Sequence, residues 1–129
     1  MSIDLYLTKY RKTFFKKRKV QVSINIDDWM KYIDSHENLR HRNKKVVGIN
    51  PSTGARIEVA PDSGDSDILI KGRWQHFLRY EDGILTRKYN PGLADPSNEV
   101  RVNVVKVARY FGTDIDHNSR GPSLNVWLS

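Results

Sequence analysis

The side chains best suited to moving protons in this chain are His36, His41, His76 and His117, and two histidines with a lysine can supply the acid, base and phosphate clamp of a metal-independent ribonuclease. Their spacing does not assemble such a site. None stands in an H-x-x-x-H or H-E-x-x-H arrangement, which would put two ligands on one helical face, and the step of five from His36 to His41 fits one face poorly. There is no P-loop, no dinucleotide-binding fingerprint and no G-x-S-x-G. Cysteine is absent, which excludes disulfides, thiolate metal sites and thiol catalysis. The expectation is a protein without catalytic residues, metal or cofactor.

Charge is the more informative chemistry. "KYRKTFFKKRKVQ", residues 9–21, holds seven Lys or Arg in the eleven positions from Lys9 to Lys19, with Phe14 and Phe15 in their middle. Lys16, Lys17, Arg18 and Lys19 can pair with phosphates while a phenylalanine stacks on bases, as single-strand binders do, although no RNP-like aromatic motif accompanies them. "KKRK" also fits a minimal nuclear localisation pattern. The plainer alternatives are a solvated connection between strands, or a partner-binding edge. A second basic cluster, Arg40, His41, Arg42, Lys44 and Lys45, is expected to add to the first if the two share a face. Against them stand Asp62, Asp65 and Asp67 in "APDSGDSD", a polar loop that lacks the residue order and the final Glu of a calcium loop but can meet a basic surface.

The formal net charge is +7 and the pI about 9.7, which favours an acidic partner: nucleic acid, an acidic protein face or an anionic lipid surface. With 129 residues, 38% of them hydrophobic, the chain is expected to fold as one domain spanning 1–129. No apolar run approaches the roughly 18 residues of a membrane span, and "MSIDLYLTKY" is not a signal-peptide core. A cytoplasmic location without membrane association is expected.

The elements that must position these residues follow from periodicity and capping. "IDLYL" and Val20, Val22, Ile24 alternate as strands, so the basic run sits between two strands or on their ends. Asn25 as N-cap, Asp28 as the carboxylate of a capping box, and Ile24 with Trp29 as a hydrophobic staple predict a helix from Ile26 to near "SHEN", burying Trp29, Met30 and Ile33. "VVGINPSTGARIEV" reads as a hairpin and "DILI" as a short strand. "HFLRYEDGILTRKY" reads as a hairpin with a three-residue loop, Glu81 to Gly83. Asp95 as N-cap and Pro96 at N1 predict a second helix to Phe111, with Val100, Val104, Val107 and Phe111 inward and Gly112 at C′. One more strand is expected near "LNVWL". The sum is an α+β fold, a mainly antiparallel sheet of hairpins with two principal helices packed on it.

"IDLYL" followed by "INIDDWMKYIDSHENLR" resembles the pattern D-L-Y-L then I-[ST]-x-E-E-W-x-x-Y-[IV] of a family of small bacterial proteins. "YEDGILTRKYNP" and "VVKVARYFGTDI" are similar to that family's D-G-x-[IL]-x-x-K and A-x-x-L-G-A-x-V segments. The likeness spans about two thirds of the chain, although the family's acidic G-D-D-G-E ending is replaced by "DHNSRGPS". Members are commonly encoded beside polymorphic or contact-dependent inhibition toxins. The resemblance therefore implies an immunity protein that binds and neutralises a cognate toxin domain, often a nuclease. Trp29, Tyr32, Gly83 and Gly112 of the pattern read as packing and turn positions. The residues expected to meet the partner are Lys16, Lys17, Arg18, Arg40, Arg42 and Lys44, with Asp62, Asp65 and Asp67 as the acidic alternative. Docking on an acidic exosite is favoured over plugging the toxin's active site, and a small RNA- or DNA-binding domain is the other reading.

Overall fold

Leu5 and Leu7, which alternate with Asp4 and Tyr6, become the inward face of a long strand, β1 (Asp4–Lys12), and both leucines are fully buried. The computed structural model describes residues 3–12, 19–42, 46–49, 51–59, 64–118 and 123–128. Lys9 of β1 is paired on one edge with Val22 of β2 (Lys19–Val22) and on the other with Thr113 of β10 (Thr113–His117). Asp4 to Leu7 pair with β9 (Ile84–Lys88), so β9 and β2 follow one another along the same edge of β1. The hairpin partner of β9, β8 (Arg79–Glu81), completes a five-stranded sheet. A three-stranded sheet holds β3 (Leu39–His41), β6 (Ser66–Ile70) and β7 (Arg73–His76), and a two-stranded one β4 (Val46–Ile49) and β5 (Arg56–Val59). Among the described residues every pairing is antiparallel and there are two α-helices, so the fold is α+β, as the periodicities predict.

Helix α1 (Ile26–Asp34) begins where the sequence places it: the Asn25 side chain accepts from the backbone N–H of Asp27 at 2.8 Å and of Asp28 at 3.3 Å. Its buried stripe is Trp29, Tyr32 and Ile33, at i, i+3, i+4; Tyr32 takes the place expected for Met30, which is half-buried. Helix α2 (Glu99–Phe111) starts three residues later than expected. Asn98, not Asp95, accepts from the N–H groups of Val100 and Arg101, at 2.9 and 3.2 Å. Asp95 instead closes a turn of its own, accepting from the backbone N–H and hydroxyl of Ser97 at 2.9 and 2.8 Å, because a short carboxylate can bond its own backbone two residues on. Gly112 ends α2 in the left-handed region, as expected.

Three turns and the tail differ from the sequence reading. The β8–β9 connection is a two-residue turn with Asp82 and Gly83 both at positive φ, the mirror-image turn that suits strand twist, rather than a three-residue loop. Glycine is required at 83, since a Cβ there would lie 2.6 Å from Ser23 Oγ and 2.9 Å from Ser23 Cα. The same kind of turn at Lys71 and Gly72 joins β6 to β7, a strand not anticipated. "LNVWL" is a 3-10 segment (Leu124–Leu128) instead of a strand; the strand of the tail is β10, which earns its place by pairing with β1. The 3-10 segment and the residue before it guard the edge of β10: Asn125 Oδ1 accepts from Ile115 N–H at 2.7 Å and Ser123 Oγ donates to Ile115 C=O at 3.0 Å.

The core joins Leu5, Leu7, Leu85 and Ile115 of the five-stranded sheet, Leu39 and Ile68 of the three-stranded one, and Trp29, Ile33, Val104 and Val107 of the helices. Trp29 is its largest member; its ring meets Phe111 edge-on at 6.2 Å, and its Nε1–H donates to the carbonyl of Gly64 at 2.9 Å. Trp29→Phe keeps most of the ring but orphans that carbonyl, and is expected to lower unfolding free energy by about 1–3 kcal/mol in urea titration. The Asp95 carboxyl is held below its ordinary range, first by the Ser97 backbone N–H, then by its hydroxyl, with Arg101's charge adding to this. Its stabilising effect is therefore complete above the unfolded value of about 3.9 and lost as pH falls through the lower folded value. Asp95→Asn is expected to remove that acid-limb loss from a plot of unfolding midpoint against pH.

Candidate partner-binding face of the three-stranded sheet

The antiparallel register puts Arg40 opposite Asp67, Asp67 opposite His76, and Leu69 opposite Trp74. Since side chains two apart on a strand share a face, Arg40, Asp67, Leu69, Trp74 and His76 occupy one side of the sheet, and Ile68 lies fully buried on the other. Two arginines close on one carboxylate: Arg40 Nε donates to Asp67 Oδ2 at 3.2 Å and Arg42 Nη1 to Asp67 Oδ1 at 3.3 Å. Asp67 is left only 7% exposed, while about half of each arginine side chain stays in water. The Arg40 guanidinium also lies over the Trp74 ring, 4.4 Å from its centroid. Trp74 and Leu69 are each 36% exposed, a large apolar pair open to solvent on a sheet otherwise edged with charge.

Asp65 extends the network. Its Oδ1 lies 2.7 Å from His76 Nε2, and its backbone carbonyl accepts from Arg42 N–H at 2.9 Å. A second carboxylate–imidazole pair, His41 with Asp34 at 2.8 Å, ties β3 to the last turn of α1. Beyond His76 a cleft of about 290 Å³ opens, lined by Asp4, Tyr6, Arg79, Glu81, Thr86, Arg87 and Lys88. Arg79 is paired with Glu81, whereas Arg87 has no carboxylate partner among the described residues. The Arg87 Nη1 donates to the carbonyls of His76 and Phe77 at 3.2 and 3.1 Å, and burial lowers the pKa of its guanidinium. Those bonds brace the bend that carries the chain from β7 to β8.

Arg40, Arg42, Asp65 and Asp67 of the expected contact residues thus come together, and the expected opposition between a basic cluster and an acidic loop is in fact an ion-paired network. Lys16, Lys17, Arg18, Lys44 and Asp62 lie outside the described residues. Trp74 and His76 were not singled out as members of this face. Their signal is "DILIKGRWQH", two runs flanking a two-residue turn with glycine second, which places them opposite Leu69 and Asp67. Among the described residues no group of three His, Asp or Glu is gathered as a metal ion would need, and no helix is long and apolar enough to cross a membrane. The chain matches no family model, no curated protein and no solved structure.

Removing the shared carboxylate leaves both arginines uncompensated. Asp67→Ala is expected to cost about 1.5–3 kcal/mol of stability, the range for hydrogen bonds to charged groups. Tryptophan emission should shift as Arg40 leaves the Trp74 ring, whereas Asp34→Ala should leave that emission unchanged.

Proposed function

We propose that this protein is an immunity-type binding protein, which neutralises a bacterial toxin domain, a nuclease in the expected case, by forming a stoichiometric complex through the β3–β6–β7 face. The observation that carries this reading is the exposed Trp74 held against Arg40, itself anchored on Asp67. Tryptophan and arginine dominate binding energy at protein interfaces, above all when their geometry is set before association. The motif resemblance supplies the toxin as the class of partner.

The geometry also bears on how such a toxin would be met. A phosphate-mimicking plug needs presentable carboxylates, and Asp67 is covered by two arginines while Asp65 is engaged by His76. Arg40 and Arg42 in turn spend their charge on Asp67, so this face is close to neutral and its recognition rests on the aromatic anchor. Docking away from the toxin's catalytic centre is the reading these pairings support. The basic run at 9–21 would then steer the encounter rather than hold the complex.

The cleft bordered by His76, Arg79, Arg87 and Lys88 favours a second reading, a small nucleic-acid-binding domain. The two readings separate on salt, since affinity for nucleic acid falls by roughly one logarithmic unit of slope per phosphate contacted. The test is co-expression with the product of the adjacent upstream gene, which this reading requires to be the toxin. Growth rescue and a one-to-one complex on size-exclusion chromatography with light scattering are expected. Trp74→Ala and Arg40→Glu should each raise the dissociation constant by at least about tenfold. Failure to rescue or to form a complex, with steeply salt-dependent oligonucleotide binding instead, would replace the first reading by the second.

A further inference from the structure

One surface of α2 lies apart from the β3–β6–β7 face and is only partly taken up by the core, against which Val105 packs. Arg101, Val102, Val105, Lys106 and Arg109 recur at i, i+1, i+4, i+5 and i+8 and so form a single stripe along the helix. With Pro96 and with Val126 and Trp127 of the 3-10 segment, they line a groove of about 320 Å³. Three of these residues are cations and none is a carboxylate. Among the described residues neither arginine nor Lys106 has a carboxylate within ion-pair distance; Asp95 feels Arg101's charge but is engaged by Ser97.

Two of the three cations are set in place before any ligand arrives. Arg101 Nη1 donates to the carbonyls of Leu93 and Ala94 at 3.3 and 2.9 Å, and its guanidinium lies 4.4 Å from the Trp127 ring centroid. Arg109 Nη2 donates to Leu128 C=O at 3.1 Å. Between them the groove offers apolar surface to water: Val126 is 70% exposed and Val102 38%. An unpaired trio of positive charges beside exposed valines complements a chain that is acidic and carries apolar side chains. Nucleic acid fits less well, because the groove's aromatic ring, Trp127, lies beneath Arg101 and has little surface left on which a base could stack.

We propose that the groove between α2 and the Leu124–Leu128 segment docks an acidic polypeptide segment with interspersed apolar side chains. Docking here uses none of the residues of the β3–β6–β7 face, so it stands independently of the toxin reading.

The probe is a fluorescein-labelled peptide of about a dozen residues in which Asp and Glu alternate with Leu and Phe, titrated with the full chain by fluorescence polarisation. Saturable binding is expected, weakening several-fold between about 50 and about 300 mM salt. The exposed-residue variants Lys106→Glu with Arg109→Glu, and separately Val126→Asp, should each weaken it by about tenfold or more, while Trp74→Ala leaves it unchanged. Replacing the peptide's Leu and Phe by Ser should cost a similar factor. Circular dichroism and urea midpoints matching the wild type confirm that the variants fold. No binding by the wild-type chain, or binding that both groove variants retain, overturns the proposal. So does a single-stranded oligonucleotide that displaces the peptide and is itself lost in the Lys106/Arg109 variant, which would make the groove a nucleic-acid site.

Discussion

The indole of Trp29 is the tie on which the arrangement depends. It sits in the first turns of α1, packs edge-on against Phe111 at the end of α2, and gives its one polar hydrogen to the carbonyl of Gly64, just ahead of β6. A buried N–H without a partner is costly, so this bond fixes where the chain must lie as it enters the three-stranded sheet. The site of that bond admits only glycine without rearrangement: φ is +67° at Gly64, and a Cβ there would meet Tyr80 Cβ at 2.6 Å. Tyr80 in turn donates from its hydroxyl to the Ile24 carbonyl at 2.8 Å, immediately before the cap of α1. Helix entry, hairpin β8–β9 and the approach to β6 are therefore held by one closed set of contacts, and the next residues along, Asp65 and Asp67, take their positions from it.

Where side chains act on their own backbone, the sequence was readable. Asn25 capping α1, the Val100, Val104, Val107 stripe and the left-handed Gly112 are decided within a few residues of themselves. Where the deciding contact lies far away, the sequence was silent or misleading. Two local caps can also compete: Asp95 and Pro96 make a plausible helix start, yet Asn98 captures the role while Asp95 turns to Ser97. Tyr32 outcompetes Met30 for the interior because the aromatic rings of Tyr110 and Phe111 wait for it, at 5.0 and 5.8 Å. "TDIDH" and "LNVWL" have similar strand character; the first pairs with β1, and the second is left to fold as a 3-10 turn against it.

The candidate site was half legible for the same reason. Clusters of like charge are visible in a sequence, and Arg40, Arg42, Asp65 and Asp67 all stood out. That they neutralise one another depends on the register between β3 and β6, which is a property of pairing and not of either segment alone. Charge counted along the chain therefore overstates what a partner would feel at this face, and understates the aromatic surface that the pairing exposes. Among the described residues, positive charge without a carboxylate in reach is found instead where arginines are stacked and hydrogen-bonded to carbonyls, as along α2.

The guarding of β10 by Asn125 and Ser123 has a bearing on how the protein behaves when concentrated. A strand at the border of a sheet offers its backbone to any other chain, which is how native sheets come to polymerise. Here amide and hydroxyl groups occupy the N–H and C=O of Ile115 in the manner of a neighbouring strand, yet they present no backbone ladder of their own for a third to join. Enlargement of the sheet in that direction is terminated by two small side chains, and at the opposite end of the strand order the border is the short β8, where Arg79 and Glu81 make a foreign strand's arrival unwelcome.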